Sequence, residues 1–297
     1  MNRTARTLAF MIPAILVYAA GFVAAAFWDF TITSTLYDPQ NLFAILMECF
    51  GWYPAFVPTI LLALLWMARP PLDGRRWMPV VCGVVAAAGF AIIYIVARGY
   101  MLNRGLLTGG PEGWIWLAVG IALAALMVWG VLRAAPATRE KLVFFALAGS
   151  VMMAANQVAT YIIKAIWQRP RFDDMLATGS FDAFRAWYEP FGPGGSSFPS
   201  GHTANAACIL VLLVLCDLFP AWRRRRGWVL AFCWVFIAAM ALARMWIGRH
   251  FLSDTLAASG VMALLFFAMR RTKLYQKALR RTLETSEGLR QGGKHAV

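Results

Sequence analysis

The sequence predicts an all-α protein, a polytopic transmembrane helical bundle of about eight spans. Three observations predict this fold class: 61% of the 297 residues are hydrophobic, only 14% are charged, and the mean hydropathy is +0.62. Such a composition is typical of membrane proteins. A helix needs about 20 apolar residues to cross a hydrocarbon core of about 30 Å. The run boundaries are soft, so the predicted range is six to eight spans.

Eight apolar runs come close to this requirement or meet it, and the second is the shortest. The first run could instead be a secretory signal, because Ala24, Ala25 and Ala26 offer small residues for cleavage, but its length favours a retained span. The runs cover approximately residues 8–28, 52–68, 78–97, 114–132, 143–166, 201–219, 228–246 and 252–269.

The formal net charge is +14, and the basic residues are distributed along the chain as expected for a membrane topology. With the N-terminus inside, the basic residues of the short loops and the tail fall on one side and seven acidic residues fall on the other. This asymmetry predicts an inner-membrane protein with cytoplasmic N- and C-termini and favours membrane lipids over nucleic acid as partners. The basic residues are Arg3, Arg6, Arg69, Arg75, Arg76, Arg133, Arg139, Lys141, 223–226, Arg270, Arg271, Lys273, Lys277, Arg280 and Arg281, and the opposing acids are Asp29, Asp38, Glu48, Asp173, Asp174, Asp182 and Glu189.

The chain divides into three predicted regions. Residues 1–142 form N-terminal transmembrane helices, with a short apolar segment near 29–51 that we expect to lie on the outer surface. Residues 143–271 form a core with an outer loop at 169–199. Residues 272–297 form a basic cytoplasmic tail that we expect to be polar and mobile. The five cysteines show neither a disulfide framework nor zinc spacing.

Aromatic residues in the outer loop have helical spacing. Phe181, Phe184, Trp187, Tyr188 and Phe191 follow Ser180, which predicts an interfacial helix capped by that serine. The helix would either guide a lipid head group, through Phe181, Phe184 and Trp187, or simply anchor the loop. The Gly/Pro/Ser-rich stretch 192–197 that follows is predicted to be flexible.

Three polar clusters lie where predicted spans meet the outer surface. The first, Lys164 with Arg169 and Arg171, supplies cations for an anion, although such residues also snorkel or contact lipid phosphates. The second is Pro199-Ser200-Gly201-His202, in which the amides of a helix start could hold an anion beside a histidine.

The third cluster contains Arg244, His250 and Asp254. His250 and Asp254 are four residues apart, so on a helix the carboxylate would bond the imidazole and leave its other nitrogen free to attack. The same spacing also occurs in metal sites. The neighbouring cations fit an anion better, so no metal and no cofactor are expected.

Together the clusters resemble the signature of the type 2 phosphatidic acid phosphatase superfamily, over roughly residues 143 to 270. Lys164 and Arg171 have the spacing of its first motif, Pro199 to His202 match the second, and Arg244, His250 and Asp254 match the third. Two residues depart from it: Phe172 replaces a proline and Ala243 a serine. Since Arg169 precedes Pro170, it is an alternative phosphate ligand to Arg171.

The resemblance implies a phosphatase core in the C-terminal half and a metal-independent mechanism. His250 would attack phosphorus, Asp254 would orient it, and His202 would protonate the leaving oxygen. The remaining predicted ligands would hold the phosphate: Lys164, Arg171, Arg244, Ser200 and Gly201.

The implied function is hydrolysis of a lipid phosphate or diphosphate of the undecaprenyl diphosphate, phosphatidic acid or phosphatidylglycerophosphate type, with the site facing the periplasm or exterior. One alternative is a lipid A phosphatase or phosphotransferase that uses the same site. An alternative of another class is a transporter or scaffold without catalysis. The sequence leaves the lipid and the oligomeric state open.

Overall fold

The structure is a computed structural model that describes residues 3–69 and 77–292. It is 81% helical, with no strand in the described ranges. Arg75, Arg76 and the last five residues of the tail lie outside them. The helices are α1 (Arg3–Leu36), α2 (Leu42–Phe50), α3 (Tyr53–Met67), α4 (Trp77–Asn103), α5 (Glu112–Arg133), α6 (Pro136–Trp167), α7 (Phe172–Thr178), α8 (Gly201–Ala207), α9 (Leu212–Leu218), α10 (Pro220–Arg224), α11 (Arg226–Trp246), α12 (Leu252–Arg271) and α13 (Lys273–Gly292).

Eight stretches of the described chain are long and apolar enough to span a membrane, which confirms the predicted all-α polytopic fold. Many large apolar side chains on these helices are exposed, as expected of surfaces that face lipid. Trp228 is 81% exposed and Phe27 is 74% exposed. The stretches are Ile15–Leu36, Leu42–Met67, Trp77–Asn103, Glu112–Arg133, Pro136–Thr178, Gly201–Leu218, Arg226–Trp246 and Leu252–Arg271.

The short apolar segment predicted near residues 29–51 has both a buried and an exposed apolar face at residues 42–50, and its place on the outer surface stays a prediction. Residues 42–50 form α2, and Ala44, Ile45, Glu48 and Cys49 are buried on one face of it. Ala44 belongs to an apolar cluster with Ala243 and Ile247. The segment therefore packs into the protein, and it brings Glu48 into a buried position.

The chain divides into two compact units. The first contains residues 1–48, 156–204 and 237–263, and all the predicted site residues belong to it. Its aromatic core joins Phe172 and Phe251 to Phe30 of α1 and to Phe184.

The second unit contains residues 49–155, 205–236 and 264–297. Its apolar core is formed by α3, α4, α5 and α6 through residues such as Leu64, Ala86, Val131 and Ala146.

The tail, expected to be polar and mobile, forms a helix over residues 273–292, α13. Tyr275 is only 6% exposed, because its ring packs 5.1 Å from that of Phe144 and its hydroxyl donates to Asp217. Arg270 completes the junction with an ion pair to Asp217 at 2.6 Å. These contacts dock the start of the helix within the second unit.

Candidate active site

The predicted site residues lie at helix ends and in the segments between them. Lys164 is in the last turn of α6, His202 is in the first turn of α8, and Arg244 is in the last turn of α11. His250 precedes α12, and Asp254 is in its first turn. Helix ends place polar side chains next to each other while the apolar helix bodies pack away from them.

The turn between α11 and α12 depends on Gly248. Its φ of +72° is in the left-handed region, where glycine has no steric penalty. A Cβ here would also lie 2.7 Å from Cε2 of Tyr37. The amides of Arg249 and His250 both donate to the Arg244 carbonyl oxygen, at 3.1 and 3.3 Å. This tight turn carries His250 back toward Arg244.

The His250 imidazole is buried, with 2% of the residue exposed. Its Nδ1 lies 2.7 Å from the Ser197 carbonyl oxygen. Because a carbonyl only accepts hydrogen bonds, Nδ1 carries the proton and Nε2 keeps its lone pair. Burial lowers the pKa of His250 to about 3 despite the opposing effect of Asp254, and the charges of Arg244 and Lys164 act in the same direction as burial. The ring is therefore neutral at physiological pH.

Asp254 does not make the helical hydrogen bond that the spacing predicted. His250 stands before α12, and its Nδ1 is 3.6 Å from Oδ2 of Asp254, beyond a normal hydrogen bond. That oxygen instead accepts from the Ser197 hydroxyl at 2.5 Å and from the Phe251 amide at 2.8 Å. Asp254 thus acts on the imidazole through its charge, while the Ser197 carbonyl fixes the tautomer.

Ser200 has a different role from the one expected. Its amide, predicted to help hold an anion, donates to the Asp254 carbonyl oxygen at 3.0 Å. Its hydroxyl accepts from the Thr203 amide at 3.3 Å, as an N-cap does. Ser200 therefore joins the start of α8 to the start of α12. Gly201 lies beside Lys164, since a Cβ on it would be 3.9 Å from the lysine Cε.

The predicted cations lie close together. Lys164 is within electrostatic range of Arg171 and Arg244, and His202 is within range of Lys164, Arg244 and His250. Lys164 donates to the Ser196 carbonyl oxygen, and Arg171 donates to the Ser196 hydroxyl at 2.8 Å. The structure thus gathers the positive charge that an anion would need around the two histidines.

The two candidate arginines of the first motif differ in their surroundings. Arg169 is 0% exposed, and its guanidinium lies 4.2 Å from the ring centroid of Phe251. All three of its guanidinium nitrogens donate to protein oxygens, including Asp29 and Asp254. Arg171 is only partly buried and lies near Lys164. The geometry therefore favours Arg171 as the arginine that faces a ligand.

The predicted aromatic helix of the outer loop is absent. Residues 181–191 form turns and coil, and the helix lies earlier, at α7. Phe181 and Phe184 pack against Phe30 with ring centroids 5.0 and 5.4 Å apart, and the Trp187 indole donates to the Phe22 carbonyl oxygen at 3.1 Å. These contacts with α1 half-bury Phe184 and Trp187, while Phe181, Tyr188 and Phe191 stay exposed.

The stretch predicted to be flexible is held closely against the first motif. The Ser197 amide donates to the Arg169 carbonyl oxygen at 2.9 Å. A Cβ on Gly195 would lie 2.3 Å from the same oxygen, so only glycine allows this approach. The contact brings Ser196 and Ser197 to the cations and to His250.

Four residues of this site were missed by the sequence argument. Ser196 and Ser197 act through backbone carbonyls, which every residue has, and through hydroxyls in a loop without a motif, so no local signal marks them. Asp29 and Glu48 were noted only as charges on the outer side, yet they are 2% and 3% exposed and pair with Arg169 and Arg244. In the described part of the chain, no group of three or more His, Cys, Asp or Glu is placed to hold a metal ion.

Comparison with known proteins points to one family. Residues 145–278 match the family model described as the PAP2 superfamily, which confirms the resemblance found in the motifs. A curated relative, phosphatidylglycerophosphatase B of Bacillus subtilis (strain 168), is 32% identical over 76 residues. The aligned stretch is 25% of this chain and 37% of the relative, well under two thirds of its length. No solved structure matches the chain significantly.

Proposed function

Because residues 145–278 belong to the PAP2 superfamily, we propose that this protein is an integral membrane phosphatase that hydrolyses a lipid phosphate or diphosphate through a phosphohistidine on His250. The observation that carries the proposal is the bond between His250 Nδ1 and the Ser197 carbonyl oxygen. It assigns the ring proton to Nδ1 and makes Nε2 the nucleophile.

In the first step, Nε2 of His250 attacks phosphorus while the bond from phosphorus to the lipid oxygen breaks. His202, in its protonated form, gives a proton to that oxygen and becomes neutral, so the lipid leaves as a neutral alcohol or as a lipid monophosphate. The imidazole becomes positively charged as the P–N bond forms. The buried carboxylate of Asp254, 3.6 Å from Nδ1, stabilises that charge.

In the second step, water attacks the phosphohistidine and His202 accepts a proton from the water. The P–N bond breaks, so inorganic phosphate and neutral His250 are regenerated. General acid and base catalysis of this kind contributes about 10²–10⁴-fold to a rate.

Lys164, Arg171 and Arg244 hold the phosphate oxygens in both steps. Phosphoryl transfer depends mostly on positioning and on stabilisation of charge, and these cations supply both. We therefore expect activity in excess EDTA.

The site faces the exterior of an inner membrane in this proposal. An even number of spans returns the chain to its starting side, and the basic residues before the first span and after the last favour a cytoplasmic side for both ends. The ends of α6 and α11, which carry Lys164 and Arg244, then lie outside.

An assay against several lipid phosphates would identify the substrate. The name of the Bacillus subtilis relative makes phosphatidylglycerophosphate the first candidate, beside phosphatidic acid, undecaprenyl diphosphate and lipid A. Purified protein is tested for phosphate release from each lipid in EDTA. Transfer of labelled phosphate to a second lipid instead of water would identify a phosphotransferase.

His250→Ala and His202→Ala test the mechanism. We expect His250→Ala to lose both phosphate release and acid-labile labelling of the protein, and His202→Ala to lose most of the turnover. A fully active His250→Ala, a need for added metal, or no phosphate release from any of the lipids by the wild type would contradict the proposal.

A further inference from the structure

A buried network of charges joins α1 to the site. Asp29 accepts from Nη2 of Arg169 at 2.8 Å, and Nη1 of the same guanidinium donates to Asp254 at 2.7 Å. Asp29 is 2% exposed, and Arg169 and Asp254 are both 0% exposed. One arginine therefore lies between two carboxylates with almost no solvent.

Ser253 closes the network into a ring. Its amide donates to Oδ1 of Asp29 at 3.0 Å and its hydroxyl to Oδ2 at 2.5 Å. The Ser253 hydroxyl oxygen also accepts from Nη1 of Arg169 at 2.8 Å. Asp29 thus accepts hydrogen bonds both from Arg169, which pairs with Asp254, and from Ser253, which precedes Asp254 in α12.

Asp29 is a second carboxylate beside Asp254, and it changes the net charge around Arg169. Arg169 alone would neutralise Asp254, and Asp254 would then offer His250 little negative potential. With Asp29 ionised, the three side chains carry one net negative charge. Buried charges interact strongly because little solvent screens them. The net negative charge would therefore lower the electrostatic potential at the His250 imidazole.

We propose that Asp29 is a positioning residue for the reaction, which holds Arg169 and Ser253 in place and offsets the arginine charge so that Asp254 can stabilise the phosphorylated His250. Asp29 lies outside the matched residues 145–278, so α1 completes the site from a part of the chain without the family signature. The inference rests on the proposed function of His250.

Asp29→Asn is the test, because asparagine keeps the shape of the side chain and removes its charge. We expect kcat to fall about ten- to a hundred-fold, as misplacement of reacting groups by an ångström does. KM for the lipid should stay within about twofold, since the phosphate ligands are untouched. The rate of phosphohistidine formation in a single turnover should fall by the same factor as kcat.

Ser34→Ala is the matched control in the same helix. Ser34 is exposed, and its hydroxyl donates to the Thr31 carbonyl oxygen of its own turn. We expect wild-type kcat and KM in this variant. If wild type and Ser34→Ala are active and Asp29→Asn has an equal kcat, the inference is overturned while the proposed function stands. If wild type releases no phosphate from any lipid, the proposed function fails first.

A double variant separates charge from simple packing. Arg169→Met in the Asp29→Asn background removes the arginine charge that Asp29 offset. We expect kcat to rise above that of Asp29→Asn, whereas a purely structural role predicts a further loss.

If Asp29→Asn does not purify as a monodisperse protein, Ser253→Ala supplies the test. This change removes the hydroxyl that bridges Asp29 and Arg169 and leaves all charges in place. A lowered kcat at unchanged KM supports the inference, and an unchanged kcat overturns the positioning of Ser253 by Asp29.

Discussion

The imidazole Nδ1 of His250 lies 2.7 Å from the carbonyl oxygen of Ser197, and the hydroxyl of the same serine donates to Asp254 at 2.5 Å. One residue therefore contacts both members of the His250–Asp254 pair. The backbone carbonyl sets the tautomer of the imidazole, and the side chain holds the carboxylate. This division of roles makes the two contacts separable by substitution.

Ser197→Ala should lower kcat by about tenfold or more. The variant keeps the carbonyl that orients His250 and loses a hydrogen bond to a buried charge, which is worth about 1.5–3 kcal/mol. Steady-state phosphate release would measure kcat and KM.

Ser196→Ala is the neighbouring comparison. The Ser196 hydroxyl accepts from Arg171 rather than contacting Asp254, so this change should raise KM and spare kcat. Equal effects of the two substitutions on kcat would contradict the separate roles assigned to these serines.

Glu48→Gln should destabilise the protein when no phosphate is bound. Glu48 accepts from Nη1 of Arg244 at 2.8 Å, and both residues are almost fully buried. Removing one partner of a buried ion pair leaves an uncompensated charge and costs about 3–5 kcal/mol. Inorganic phosphate or vanadate should restore part of this loss by supplying a negative charge to Arg244, so the ligand-induced rise in Tm should exceed that of the wild type.

Glu140→Gln is the control for this prediction. Glu140 pairs with Arg69 at 2.6 Å, but both side chains are about 30% exposed, so we expect a loss of about 0–1 kcal/mol. A Tm for Glu48→Gln equal to that of Glu140→Gln, with no added response to phosphate, would contradict a role for Glu48 at Arg244.

Gly248→Ala should reduce both stability and activity. A left-handed φ costs a non-glycine residue about 1–3 kcal/mol, and the new Cβ would clash with Tyr37. The turn that carries His250 should shift, and thermal unfolding with phosphate release would report both effects. Gly99→Ala, at an open position inside α4, should be neutral or slightly stabilising. A wild-type Tm in Gly248→Ala would argue against this account of the turn.

The pH dependence of stability should contain a contribution from His250. Its pKa is about 3 in the folded protein and about 6.5 when unfolded. Between these values the unfolded chain binds the extra proton, so stability falls as the pH decreases from about 6.5 toward 3. His250→Gln lacks this contribution, and its Tm should fall less steeply over that range. Parallel Tm curves for the two proteins would show that His250 is not held neutral by burial.

The sequence by itself determined the features that depend on local patterns. Apolar runs of spanning length predicted the eight spans, because hydropathy acts along consecutive residues. The spacing of Lys164, His202, Arg244 and His250 at the ends of those runs identified the candidate site before any contact was known. These residues do come together in one compact unit.

The tertiary structure alone decided how those residues are held. Asp29 bonds Ser253 across 224 positions of the chain, and Glu48 bonds Arg244 across 196. Burial determines these pairs, because a charge removed from water is costly unless an opposite charge lies beside it. The fold, and not the local sequence, decides which residue supplies that charge. Aromatic packing on α1 likewise takes the place of the helix expected at 181–191. The orientation of His250 is set by a backbone carbonyl that no sequence pattern marks.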